Sequence, residues 1–318
     1  MGNPVRWGIM GTGGIAQQFA TDLELTDSGK VVAVGSRSRA SADNFADGFT
    51  IERRHASYAD LAADPEVDAV YVATPHPMHH PNALLALNAG KAVLVEKPFT
   101  MNAEEARELV KVARANNVFL MEAMWTRFLP HMRKVRELVG GLGDIVTVTA
   151  DFGYGFPEEA DHRLFAPELG GGALLDLGIY VVSFASMVLG TPSKIVSMID
   201  PAFTGVDAQT SMIFGYDSGA QALLNCTLRG TSPTRATVVG TEGRIEIDSE
   251  FFAPTTVRLV PRDGSPTVFA SEHEGRGLRH QADEVARRLA AGETESPLMS
   301  LDESVSIMET MDAVLARA

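Results

Sequence analysis

Short apolar runs and longer helical patterns alternate from the N-terminus to about Met124. Val5–Met10, Val31–Gly35, Val67–Ala73, Ala92–Val95 and Val118–Met121 are strand-length, apolar and bounded by turn residues. Between them, Ile15–Leu25, Ala40–Ala46, Pro81–Asn88 and Ala103–Ala115 carry apolar residues at the three- and four-residue spacing of a helix. Asn102 stands where it can cap the last of these, and Glu104 and Glu105 fall in its first turn, where the helix dipole favours them. Strands separated by helices require right-handed crossovers and pair in parallel, so this half predicts a doubly wound α/β domain.

The pattern then changes. Trp125 to Val139 reads as a helix ending at Gly140-Gly141, and extended segments follow at Ile145–Phe152, Lys194–Ile199, Thr210–Tyr216, Ala220–Leu228, Thr234–Val239, Arg244–Ile247 and Thr256–Val260. Asp217-Ser218-Gly219 and Thr241-Glu242-Gly243 are tight turns, and strands joined so closely pair antiparallel. A helical stretch over Gly172–Leu189 interrupts the strands, and amphipathic helices near Leu278–Ala291 and Leu301–Ala316 close the chain. The expected organisation is a nucleotide-binding domain over 1–124 and an α+β domain over 125–318, the latter with a large, mainly antiparallel open sheet.

Composition narrows the function classes. Among 318 residues, 41 Asp and Glu outnumber 27 Lys and Arg, a net charge of −14, which argues against a nucleic-acid or anionic-membrane partner. The longest uncharged run, Leu177 to Ser193, holds glycines, serines and a proline and falls short of the ~20 apolar residues of a membrane span. It reads as a buried helix. One cysteine, Cys226, permits neither an intrachain disulfide nor a thiolate cluster, and with no signal-peptide pattern at Val5–Met10 the expected compartment is the cytoplasm. His76, His79 and His80 lie together, but no nearby carboxylate or cysteine completes a metal site, so no metal is expected.

Gly11-Thr12-Gly13-Gly14-Ile15-Ala16 fits G-x-G-x-x-A between the first strand and the first helix. The first glycine permits the turn, the second lets backbone approach a pyrophosphate, and Ala16 lets helix and strand pack closely. This is the fingerprint of a Rossmann-type dinucleotide site. A site for NAD would end the second strand in Asp or Glu; here Gly35-Ser36-Arg37-Ser38-Arg39 stands instead. Ser36, Arg37 and Arg39 suit a 2′-phosphate, so NADP is expected in preference to NAD. Further along, Glu96-Lys97-Pro98 follows a buried strand, and Thr74-Pro75 ends the preceding one, so Thr74, Pro75, His79, Glu96 and Lys97 should flank the ligand crevice at the carboxyl ends of the strands. A lysine there can steady a carbonyl oxygen as charge develops.

Glu96-Lys97-Pro98 together with Gly170-Gly171-Gly172…Asp176…Tyr180 resembles the glucose–fructose oxidoreductase/inositol dehydrogenase family over essentially the whole chain. The segment Phe119–Phe128, with Tyr180 where inositol-type members carry histidine, is most similar to the branch of dimeric dihydrodiol dehydrogenases. The resemblance implies NADP-dependent hydride transfer on trans-dihydrodiols or aldoses. It implies Lys97, Asp176 and Tyr180 as catalytic, and His79 and Trp125 lining the nicotinamide and substrate pocket with Tyr154. It also implies a homodimer, or a higher oligomer, through the open sheet of the second domain. From the residues alone, Asp176 reads equally as a helix cap and Tyr180 as a core tyrosine. Two other functions fit the same motifs: an inositol or amino-sugar dehydrogenase, and a regulator that senses NADP(H) without catalysis.

Overall fold

The computed structural model describes residues 3–159, 161–271 and 273–316, which form two compact units. The first comprises residues up to Phe128 together with Glu274–Val305. Its sheet holds β1 (Val5–Met10), β2 (Gly29–Gly35), β3 (Arg53–His55), β4 (Ala69–Val72), β5 (Ala92–Glu96) and β6 (Leu120–Ala123), all parallel, in the order β3-β2-β1-β4-β5-β6. The order reverses at β1, the doubly wound arrangement that the alternating pattern predicts. Helices α1 (Gly14–Leu23), α2 (Arg39–Phe49), α3 (Tyr58–Ala62), α4 (His79–Asn88) and α5 (Ala103–Asn116) connect the strands. Asn102 caps α5 as its position predicts, accepting from Glu105 N at 3.0 Å. Trp7, Phe19 and Tyr71 are fully buried in this core, with Phe19 stacked on Tyr71 at 4.0 Å.

Two expectations about boundaries are corrected. The predicted helix over Trp125–Val139 is a 3-10 turn, Trp125–Phe128, then a break at Leu129 and α6 (Pro130–Val139). Pro130 fixes the break, because proline keeps the residue before it out of the helical region and opens a new helix readily. The second correction concerns 125–318, expected as one domain: residues 274–305 belong to the first unit. The buried carboxylate of Asp22 on α1 holds them there, accepting from Arg276 N at 2.9 Å and Leu278 N at 2.6 Å.

The second unit, Leu129–His273 with the residues from Ser306 onward, is built on eight strands. Its elements are α6, β7 (Ile145–Gly153), α7 (Ile179–Leu189), β8 (Lys194–Pro201), β9 (Asp207–Gly215), β10 (Gln221–Thr227), β11 (Ala236–Gly240), β12 (Gly243–Ile247), β13 (Val257–Pro261) and β14 (Thr267–Phe269). The order is β14-β13-β12-β11-β7-β10-β9-β8, antiparallel throughout except for the pair β7–β10. The last two helices are α8 (Arg279–Ala290), packed on α1 and β2 of the first unit, and α9 (Leu301–Leu315), within which the division falls. The stretch Pro167–Leu189 is apolar and long enough to cross a membrane, but most of it is buried protein core. α7 packs on β7 and β10, where burying each Val, Ile or Phe contributes ~1.5–3 kcal/mol. The other face of the sheet stays open and exposes Val196, Met198, Ile213 and Leu223.

Candidate active site

In the first unit, β1 runs straight into the glycine loop. Gly11 has φ +105°, and a β-carbon there would lie 2.5 Å from Ala73 O, so only glycine fits. Gly13 and Gly14, by contrast, have open space on the side a β-carbon would fill. α1 starts at Gly14 with no side-chain cap, whereas Ser38, Ser57 and Asn102 cap α2, α3 and α5. An open backbone cradle and free first-turn N–H groups fit a pyrophosphate. Thr12 and Ile15 border this loop half-exposed, and Ala16 is fully buried against the sheet.

At the end of β2 the predicted cations separate. Arg39 is paired with Asp43 at 3.0 Å, one helical turn on. Arg37 is exposed and makes no ion pair among the described residues, and Ser36 is buried beside it. Arg37 is therefore the guanidinium available for a phosphate.

The corners after β4 and β5 are tied together by His79. This ring is 1% exposed, with Nε2 2.9 Å from Thr74 O and Nδ1 2.8 Å from Pro98 O. Burial holds its pKa down to about 4 against those two carbonyls, and the nearby Lys97 ammonium adds to the effect. Expected as a pocket-lining ring, His79 lies buried between two loops with each nitrogen facing a backbone carbonyl; the neutral ring that burial favours carries one N–H and donates to one of the two. Thr74 also accepts from Asn82 through its hydroxyl at 3.1 Å, which pins Pro75 and the start of α4. Glu96, buried at the end of β5, accepts from the Tyr71 hydroxyl and from Lys97 N, so the lysine leaves the sheet from a fixed turn. Trp125 is buried, with the Arg276 guanidinium 5.8 Å from its ring centre. Sequence reasoning missed Glu122, a buried carboxyl at the end of β6 that accepts from Ser304 Oγ at 2.8 Å and that burial pushes up to about 7.

Asp176, Tyr180 and Tyr154 lie in the second unit. Asp176 sits in a π-helical turn, Leu174–Gly178, that passes directly into α7. The helical stretch expected over Gly172–Leu189 is present, and its first part is a π-helical turn, a wider turn of a kind that concentrates at functional sites. The Asp176 carboxylate accepts two bonds from Arg163, at 3.1 and 3.2 Å, in the bidentate geometry that a guanidinium favours. Arg163 was not singled out from the sequence; a lone arginine in the loop before the glycines was the available signal. The Tyr180 ring packs on Phe152 and Phe252, each at 5.3 Å, which fixes its plane. The Tyr154 hydroxyl donates to Glu250 at 2.9 Å. Among the described residues, no three His, Cys, Asp or Glu side chains converge on a point where a metal ion would sit.

Residues 5–124 match the family described as oxidoreductases with an NAD-binding Rossmann fold, and residues 132–246 match the GFO/IDH/MocA C-terminal domain. The chain belongs to the Gfo/Idh/MocA oxidoreductase family. Its relatives include the trans-1,2-dihydrobenzene-1,2-diol dehydrogenases of Xenopus tropicalis, 37% identical over 98% of this chain and 97% of the relative, and of Mus musculus, 39% identical over 97% and 95%. The D-xylose 1-dehydrogenase (NADP(+)) of Hypocrea jecorina is 36% identical over 99% of this chain and 92% of its own. Among solved structures, a 3-ketoreductase from Actinomadura kijaniata with NADP and TDP-benzene superposes with a TM-score of 0.87 at 27% identity, covering 99% and 98% of the two chains. That enzyme has also been solved as a lysine-to-alanine and a tyrosine-to-phenylalanine variant. The aldose-aldose oxidoreductase of Caulobacter crescentus shares the fold, with a TM-score of 0.90 at 22% identity over 99% and 97%. The resemblance read from the Glu96-Lys97-Pro98 and Asp176…Tyr180 motifs is thereby borne out at the level of the family.

Proposed function

We propose that this oxidoreductase is an NADP(H)-dependent dehydrogenase that interconverts a secondary alcohol or hemiacetal of a sugar or cyclic vicinal diol with its carbonyl. The bound nicotinamide supplies the hydride acceptor or donor. Tyr180 exchanges the proton at its phenol oxygen, its ring held by Phe152 and Phe252. Asp176, itself held by Arg163, keeps the turn that carries Tyr180 in place. Lys97 brings a cation to the substrate oxygen, where charge stabilisation is the largest contribution a fixed side chain makes. Arg37 receives the 2′-phosphate.

One observation carries this reading. The second unit sets an acidic and a phenolic side chain, both buried, on one continuous helical segment, Asp176 in the π-helical turn and Tyr180 at the start of α7, an arrangement of use to proton transfer and of none to a nucleotide sensor. The dihydrodiol and xylose dehydrogenases among the relatives support the substrate class. The exposed apolar side chains of β8, β9 and β10 support assembly into a homodimer through the open sheet face.

The test is NADP+ reduction against a trans-dihydrodiol, D-xylose, D-glucose and myo-inositol, with binding of NADPH and NADH measured alongside. Turnover of the diol or an aldose with NADPH bound more tightly than NADH is the expected result. Turnover confined to myo-inositol moves the substrate class, and cofactor binding without turnover on a broad alcohol panel leaves a sensor.

A further inference from the structure

Gly172 has φ +120°, and a β-carbon on it would collide with Oδ1 of Asp207, from the start of β9. The other oxygen of that carboxylate, Oδ2, accepts from Leu174 N at 2.7 Å and from the Thr210 hydroxyl at 2.8 Å. Leu174 is the first residue of the π-helical turn, whose own preceding residue, Ala173, offers no side-chain cap. A carboxylate at a helix start satisfies an N–H that the helix leaves free and opposes the positive end of its dipole. Asp207 therefore does from a neighbouring strand what a capping residue ordinarily does from the chain itself. The glycine at 172 is what makes room for it.

We infer that Asp207 is the positioning residue of the Asp176–Tyr180 segment: it fixes the Leu174 amide from β9 and so sets the direction of Asp176 on the π-helical turn and of Tyr180 on the start of α7 that continues it. The inference rests on the proposed function and extends it to a residue that touches no substrate. Thr210 assists by holding the accepting oxygen toward Leu174. Asp207 lies 31 residues beyond Asp176 in sequence, beyond the reach of any local motif.

The experiment compares the parent with Asp207→Ala and Asp207→Asn by turnover, by KM and Kd for NADPH, and by hydrogen exchange of the amides over 173–180. Asp207→Ala removes the acceptor; turnover should fall by at least ~10-fold while KM and Kd for NADPH hold, because the dinucleotide loop lies in the other unit. Asp207→Asn keeps an amide oxygen that accepts from Leu174 N, so it should recover most of the turnover. Exchange at Leu174 and its neighbours should speed up in the Ala variant only. Slow, parent-like amide exchange across β7, β10 and β11 in each variant serves as the check that the second unit is folded. Parental turnover in Asp207→Ala, an Asn variant as poor as the Ala variant, or lost turnover with unchanged amide exchange each overturns the inference. A parent inactive across the substrate panel refutes the proposed function instead, and the amide exchange then decides whether Asp207 holds the turn.

Discussion

Two glycine-led helix starts, one in each unit, solve the same backbone problem for opposite ends. At Gly11 the crowding atom is a backbone oxygen, Ala73 O, and the helix that follows is left uncapped. At Gly172 the crowding atom belongs to a carboxylate, and that carboxylate caps the helical turn that follows. An open start presents N–H groups to an anion arriving from outside. A start filled by the protein's own acid is closed to ligands and serves as a mount for the side chains one turn on. A glycine-rich loop before a helix thus announces phosphate binding only where nothing in the chain already occupies its N–H groups.

The largest expected effects test what the closed mount carries. Tyr180→Phe keeps the ring against Phe152 and Phe252 and removes the hydroxyl, so turnover should drop by at least ~100-fold in both directions while NADPH binds as before. Lys97→Met should match that loss, comparable with removing one oxyanion donor, again with binding preserved. Steady-state turnover and a fluorescence titration with NADPH check both. A near-parental rate in either variant removes that residue from the chemistry.

Exchanging the two glycines tests the comparison itself. Gly11→Ala drives a β-carbon toward a main-chain oxygen that cannot swing away, at a φ alanine seldom adopts, and should cost about 1–3 kcal/mol of stability with most of the NADPH affinity. Gly172→Ala, at φ +120°, carries a similar backbone strain but meets a side chain and lies in the other unit, so NADPH affinity should hold while turnover and stability fall. Urea unfolding should therefore show a loss in both variants, and cofactor titration a loss in Gly11→Ala alone. Parallel losses of NADPH affinity in both would mean that the loops share one role.

The same contrast explains how much was legible in the sequence. Gly11–Ala16, Thr74 and Glu96-Lys97 sit next to the strands that position them, so strand periodicity located them. Arg163, Asp207, Phe252 and Glu250 reach Asp176, Leu174, Tyr180 and Tyr154 through folded contacts across 13 to 96 residues, and no local pattern encodes such distances. Three-residue strands β3 and β14 and the five-residue α3 were missed because each is too short to complete a period. The return of residues 274–305 to the first unit hangs on Asp22, whose signal was an acid on the buried face of α1.

A smaller effect sharpens the first unit's half of the comparison. Arg37→Asp puts a carboxylate where the only unpaired arginine of the Ser36–Arg39 segment stands, so NADPH should weaken by roughly 10-fold or more and the preference over NADH narrow or reverse. Salt should weaken NADPH binding in the parent more than in the variant, since part of the recognition is charge on phosphate. Equal parental dissociation constants for the two cofactors would leave Arg37 without this role.

The smallest effect near neutral pH separates the two units by their buried histidines. His79 in the first unit and His131 in the second are both held down to about 4, in each case first by burial. His131 Nε2 meets Phe251 O at 3.1 Å, and the nearby His273 adds to the depression; at His79, Lys97 does so. An unfolded histidine titrates near ~6.5, so below that pH the unfolded chain binds protons that the folded chain refuses. Stability from each ring is therefore fully present above ~6.5 and is lost as pH falls toward about 4. The loss amounts to under ~1 kcal/mol per ring at pH 6 and about 2 kcal/mol at pH 5. His131→Leu deletes the titrating group in the second unit and should flatten the pH dependence of that unit's unfolding, read by hydrogen exchange, while the first unit keeps its own. His79→Leu should do the reverse and also loosen the loops after β4 and β5, since it removes the ring nitrogens that face Thr74 O and Pro98 O. Identical pH profiles in parent and His131→Leu would show that this ring binds protons alike in the folded and unfolded chain, and with it the second unit's share of the acid sensitivity would vanish.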